Sequence, residues 1–347
     1  MFLKNNELYR QLCSSLILIL IYFLEENKMK KLFALLLAVT MVFALCACGG
    51  ESEPADKTFT VGICQLVQHT ALDAATKGFK DALVAEFGDK VVFDEQNASG
   101  DSATCATICS GFVSSGVDLI MANATPALQA AVSATDSIPI LGTSVTEYGV
   151  ALEIDNFSGT VGGNVSGTSD LAPLDKQAQM ILDLFPETKT VGILFCSGEA
   201  NSVYQCKVVK EYLEGKGVAV NEYTFSDSND VATVTTGACS ECDALYIPTD
   251  NVAASCAEAI DAIARPANVP IITGEEGPCA KCGVATLTID YYELGKTTGA
   301  MAAKILKGEA DIATMPVGYF ENPVEKYNPE LAELFNVEIP SSFVAIE

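Results

Sequence analysis

TFTVGICQL at residues 58–66 and TVGILFC at residues 190–196 are two versions of one β-type run, and the succession of segments after each of them decides the fold. Asp118-Leu119-Ile120-Met121 is answered by Asp243-Ala244-Leu245-Tyr246, and Ile138-Pro139-Ile140-Leu141-Gly142 by Val269-Pro270-Ile271-Ile272-Thr273-Gly274. The three matches keep one order at nearly one spacing, the mark of an internal repeat. Between the runs lie helical patterns. Leu72, Ala75, Phe79, Leu83 and Phe87 recur at helical spacing, and Ser202 to Glu214 reads as the corresponding helix of the second half. Further strands are expected at Val91 to Phe93, Val117 to Met121, Ile138 to Leu141, Val218 to Phe225, Ala244 to Ile247 and Val269 to Thr273. Short strands alternating with helices define α/β architecture. The chain therefore reads as two Rossmann-like lobes with parallel sheets. Gly159, Gly162, Gly163 and Gly167, set among Asn, Ser and Thr, read as a loop crossing between them. Their spacing fits neither a dinucleotide fingerprint nor a phosphate-binding loop.

Composition narrows the function. Twenty Lys and Arg face 45 Asp and Glu, a net charge of −25, which repels phosphate backbones and argues against nucleic-acid binding. With 49% apolar and only 19% charged residues, the chain is not of the disordered type. A single histidine, His69, leaves no room for a histidine-rich metal site and at most one histidine-based triad. No cofactor is implied.

The amino end reads as an address. MKKLFALLLAVTMVFALCAC at 29–48 has a basic start, an apolar centre and a small-residue cleavage region. Ala47-Cys48 resembles a bacterial lipobox, which implies lipidation of Cys48. Translation is expected to begin at Met29, making 1–28 an upstream leader, 29–47 the signal peptide and 48–57 a polar tether. The apolar run within 15–24 is too short to span a bilayer. The protein is thus expected to be exported and held by lipid at the outer face of the cytoplasmic membrane.

Ligands of open α/β sheets sit beyond the carboxyl ends of the strands. The loops leaving those ends, near 65–70, 122–126, 142–148, 196–202, 248–251 and 273–277, are polar in an otherwise apolar chain. Two such lobes facing each other read as a receptor that closes on a small molecule.

The stretches VGICQLVQHTALDAATKGFKDAL (61–83), ANATPALQAA (122–131), SIPILGTSVTEY (137–148), YIPTDN (246–251) and TIDYYELGKTTGAMAAKILKGE (288–309) also resemble one family. It is the ABC-transporter substrate-binding lipoproteins of the tryptophan/tyrosine type, with the periplasmic-binding-protein type I fold. The resemblance runs from Thr58 to about Gly308. It implies a receptor that hands its ligand to a membrane permease driven by an ATPase. It also implies three crossings in a hinge, with 58–165 plus 290–318 in one lobe and 166–289 plus 319–347 in the other. Pro278-Cys279-Ala280-Lys281-Cys282 departs from the family pattern.

A free amino acid needs donors for its carboxylate and acceptors for its ammonium, because unpaired buried charge is costly. Thr125, ahead of Pro126 at a helix start, suits an anion, with Ser144 and Thr146 as further donors, or these serve only as caps and turns. Asp250, beside Thr249, is an acceptor for the ammonium or else caps the helix from Val252. Glu275 is a second acceptor candidate. Asp290 touches ligand or fixes the last crossing. Gln65, His69 and Thr70 occupy the first strand–helix loop, and Ser197, Glu199 and Asn201 its counterpart. Tyr148 and Tyr204 could stack on an aromatic ligand. Sugars and nucleosides are the rival ligands, and a sensor without transport the rival role; no nucleophile is placed beside a base, so an enzyme is not expected. Cys239-x-x-Cys242 and Cys279-x-x-Cys282 could be plain thiols, disulfides or metal ligands.

Overall fold

The computed structural model describes residues 57–320 and 322–347. The leader, signal sequence, Cys48 and nearly all of the tether lie outside the described residues. Thr58–Glu347 forms one compact unit built on two sheets. The first holds β1 (Phe59–Gln65), β2 (Val91–Asn97), β3 (Leu119–Asn123), β4 (Ile140–Val145) and β5 (Val165–Ser169). The second holds β6 (Thr190–Cys196), β7 (Ala219–Phe225), β8 (Ala244–Ile247), β9 (Ile271–Thr273) and β10 (Ala285–Thr288). Late in the chain, β11 (Gly318–Tyr319) returns to the first sheet, while β12 (Val324–Tyr327) and β13 (Val344–Ala345) complete the second.

The repeat is real in three dimensions. The first sheet runs β11-β5-β4-β3-β1-β2 and the second β13-β12-β10-β9-β8-β6-β7, so β4-β3-β1-β2 and β9-β8-β6-β7 correspond strand for strand. The echoed aspartates share a task. Asp118 accepts a hydrogen bond from Thr60 N at 2.8 Å, and Asp243 accepts from Lys189 N and Thr190 N at 2.9 Å, each tying the start of a central strand to the strand beside it.

Each sheet is covered on both faces. Along β1, Val61 and Ile63 pack into one core while Cys64, and Leu66 just past the strand, pack into the other. Along β6, Ile193 and Phe195 face one core and Leu194 and Cys196 the opposite one. Such doubly buried strands are the norm for parallel sheets and explain their unbroken apolar reading. On the first lobe, helix Thr70–Phe87 packs against helix Tyr291–Leu306 at very short range. A Cβ on Gly78 would lie 2.1 Å from Tyr292 O, and one on Gly295 2.0 Å from Ala75 O.

The strand limits differ from expectation where composition misleads. The Gly/Ser/Thr stretch near 165 reads as loop, with the lobe boundary at 165/166, yet β5 continues the first sheet through Ser169. Its residues are small because Tyr148 lies across them. A Cβ on Gly167 (φ +147°) would meet Gly142 O at 2.1 Å and the Tyr148 hydroxyl at 2.3 Å. The chain therefore crosses to the second lobe just after Ser169, returns between β10 and helix Tyr291–Leu306, and crosses finally between Tyr319 and Val324. Among the described residues no helix is long and apolar enough to cross a membrane.

Candidate ligand-binding site

The carboxyl ends of the strands from both sheets converge on one narrow, nearly closed cavity. From the first lobe come His69, Leu72, Ser144 and Thr146. The crossing after β5 contributes Asp170. Asn201, Thr249, Asn251 and Glu275 enter from the second lobe, and Tyr291 comes from the second crossing.

The first-lobe loops carry backbone strain. Ser144 has φ +54° where β4 loses register with β5. Ala124, ahead of helix Thr125–Ala134, has φ +99° and ψ 158°, a region that side chains other than glycine rarely enter. Such strain costs about 1–3 kcal/mol and is found where function holds a backbone in place.

Hydrogen-bond pairing separates scaffold from site. Buried polar atoms in folded proteins are nearly always paired. Among the described residues nine buried side-chain atoms have no partner, and six of these belong to cavity residues: His69 Nδ1, Ser144 Oγ, Asp170 Oδ1, Asn201 Oδ1 and both Glu275 oxygens. Thr125 is also buried with its hydroxyl unpaired, although it does not line the cavity.

The carboxyls divide sharply. Glu275 is 1% exposed, and burial pushes it well above the usual carboxylate range, with Asp170, Asp250 and Glu199 adding repulsion and the nearby Tyr291 hydroxyl pulling weakly the other way. Asp170 accepts from the Tyr291 hydroxyl at 3.0 Å through one oxygen only; burial pushes it up to about 6, against the pull of the Tyr291 and Thr146 hydroxyls. No lysine or arginine lines the cavity. A cation brought by the ligand would relieve both groups.

Several expected contacts are scaffold instead. Asp250 caps its helix through Ala253 N at 2.8 Å and also accepts from Cys196 N and Ser202 Oγ at 2.7 Å, so its oxygens are spent. Glu199 collects Asn201 Nδ2, Asn251 N, Asn251 Nδ2 and Val252 N within 3.2 Å. Burial pushes it up to about 8 and these donors pull it back. Gln65 is used up by Val67 O, Asp73 and Thr76. Thr70 and Ser197 are exposed away from the cavity. Asp290 is exposed and caps helix Tyr291–Leu306 through Glu293 N at 3.0 Å. Tyr148 belongs to the first core, its hydroxyl donating to Thr168 O at 3.1 Å, and Tyr204 does not line the cavity. The geometry keeps His69, Ser144, Thr146, Asn201, Thr249 and Glu275 together. It adds Leu72, Asp170, Asn251 and Tyr291. Asp170 directly follows β5 and Tyr291 opens the helix after β10, two strands not read from the sequence; Asn251 comes directly after the Asp250 already singled out.

Across the cleft, His69 Nε2 and Asn251 Oδ1 meet at 3.2 Å, joining the lobes. Burial pushes His69 down, keeping it neutral. Among the described residues no group of three or more His, Cys, Asp or Glu is arranged to hold a metal, and ten cysteines are free thiols. The two C-x-x-C pairs form no joint site: Cys242 reaches the Tyr223 hydroxyl and Cys279 the carbonyl of Gly283.

Two like-folded lobes, three crossings and a set of unpaired polar atoms where the lobes meet have the architecture of a solute receptor. The chain belongs to the ABC transporter substrate binding protein family, whose model matches residues 60–345. It is 36% identical over 307 residues to the tyrosine-binding protein of Clostridioides difficile (strain R20291), covering 84% of this chain and 88% of that one. A Streptococcus pneumonia ABC domain solved in complex with L-Trp is 34% identical with a TM-score of 0.78, over 82% of this chain and 97% of that one. A Clostridium difficile substrate binding protein with adhesive properties, solved ligand-free and open, is 37% identical with a TM-score of only 0.63, over 84% and 100%.

Proposed function

We propose that the cavity takes a free amino acid with an aromatic side chain and delivers it to the permease and ATPase of an ABC importer. The observation that carries this is Glu275, buried with neither oxygen paired, beside Asp170 and with no basic side chain in the cavity. An α-ammonium group lets these buried carboxyls ionise in place, whereas a neutral sugar supplies no cation to do so. The ligand carboxylate then faces the unpaired Ser144 hydroxyl on the first-lobe side of the cavity. The tyrosine-binding relative and the L-Trp complex support the aromatic class. The protein acts by binding, not catalysis: His69 is committed to Asn251, and no cavity hydroxyl hydrogen-bonds it among the described residues. The lobes hinge at the three crossings, the first lobe ending near Ser169 and resuming over 290–319.

A thermal-shift screen against amino acids, sugars and nucleosides tests the reading. Ligand at a hundredfold excess over Kd adds about 2.7 kcal/mol, a shift of several degrees. Shifts with tryptophan, tyrosine or phenylalanine support it, and shifts with sugars or nucleosides alone overturn it. Export and anchoring at Cys48 belong to the same proposal. In cells, Cys48→Ala should release the protein from the membrane fraction; unchanged retention would refute the lipid anchor.

A further inference from the structure

The unpaired atoms of the cavity are not evenly divided between donors and acceptors. Asn201 Nδ2 points at Glu199 Oε2 and Thr249 O, both at 3.0 Å. Those partners accept, so the unpaired Oδ1 of Asn201 must also be an acceptor. Asn251 Nδ2 lies 2.6 Å from Glu199 Oε2, which turns Asn251 Oδ1 toward His69 Nε2. That nitrogen therefore carries the imidazole proton. In a neutral ring Nδ1 is then a bare lone pair, buried and unpaired. Glu199 accepts four N–H groups, two of them backbone amides that can only donate, and with its oxygens so occupied both side-chain amides turn their Nδ2 toward it.

The cavity thus offers two separate acceptor regions. Asp170 and Glu275 form one, and the imidazole–amide chain His69, Asn251, Glu199 and Asn201 ends in the other. An α-ammonium group satisfies the first. We infer that the ligand presents a second hydrogen-bond donor, carried on its side chain, to Nδ1 of His69, so that the receptor selects phenolic and indole side chains over phenyl. This rests on the amino-acid reading above and specifies which aromatic ligands it admits. Phenylalanine fills the same space but leaves the imidazole lone pair buried and unpaired. That penalty is what allows a polar site to reject an analogue lacking one donor.

His69 is the sole histidine of the sequence, so a protein labelled with 15N-histidine and purified without a histidine tag shows one imidazole. The expected spectrum is the Nε2–H tautomer, with the Nδ1 resonance moving when L-tyrosine or L-tryptophan binds and staying put with L-phenylalanine. Calorimetry on the same protein should give Kd values at least about tenfold lower for tyrosine than for phenylalanine. In His69→Phe that ratio should fall toward one. An Nδ1–H tautomer, an equal response to phenylalanine, a wild-type ratio near one, or a ratio preserved in His69→Phe each overturns the inference. The labelled wild type decides the matter if the variant does not fold. Amino acids that bind without discriminating leave the functional proposal standing, whereas no binding by any amino acid removes both.

Discussion

The loops after β8 and β9 are neighbours in the second sheet, and each ends in a buried carboxylate. Asp250 receives three hydrogen bonds and Glu275 none. Both are 1% exposed, and burial pushes both upward, so depth alone does not tell them apart. What differs is whether the protein answers its own charge. Asp250 holds a helix start, β6 and helix Ala200–Gly215 together. Glu275 has no such partner and is the residue that the proposed ligand ammonium would meet.

Removing Glu275 should have the largest effect. Glu275→Gln is expected to raise ligand Kd by about a hundredfold, the scale for losing one partner of a buried charge pair. The ligand-free protein should melt at the same temperature or higher, because neither Glu275 oxygen holds a hydrogen bond that the substitution would break. A lower melting temperature with Kd unchanged would reverse the roles of the two residues. Asp250→Ala should do the opposite, costing about 2–4 kcal/mol of stability through a lost cap and two stranded donors. Its Kd should stay within about threefold, measured by calorimetry below the melting point.

The pH response sharpens the contrast further. Asp170 is held at about 6 in the folded protein against an ordinary 3.8, and Glu199 at about 8 against 4.5. A raised carboxyl binds its proton more tightly when folded, so ligand-free stability should rise as pH falls from about 8 toward 4. Ligand affinity should weaken below about pH 6, where a proton competes with the ammonium for Asp170. Melting curves with and without ligand should therefore converge on acidification; curves that stay parallel would dissociate Asp170 from the ligand. The smallest effect is expected at Asp290, an exposed cap outside the cavity. Asp290→Ala should cost about 1 kcal/mol and leave Kd alone, and a weakened Kd would draw the crossing into recognition.

The two carboxylates also show what a sequence can and cannot disclose. The lobes were legible because each central strand is buried on both faces and must be apolar, and because Asp118 and Asp243 repeat one backbone contact. The site was legible only as a set of loops. Nothing in Thr249-Asp250-Asn251 says that the aspartate turns inward to Cys196 N while the asparagine faces the cleft, since both residue types cap helices and both bind ligands. Asp170 was hidden for another reason. The strand ahead of it is built of small polar residues to fit beneath Tyr148 and reads as loop, so it offers no strand end to search.

The clasp of Gly78 on Tyr292 and Gly295 on Ala75 joins the first helix of the described chain to one more than two hundred residues later. The first sheet waits for β11 in the same way, and the second for β12 and β13. Neither lobe is therefore complete until almost the whole polypeptide has been made. Because domains form as units and distant contacts form slowly, the chain stays open during synthesis. An open chain is one that can still be threaded through a membrane channel.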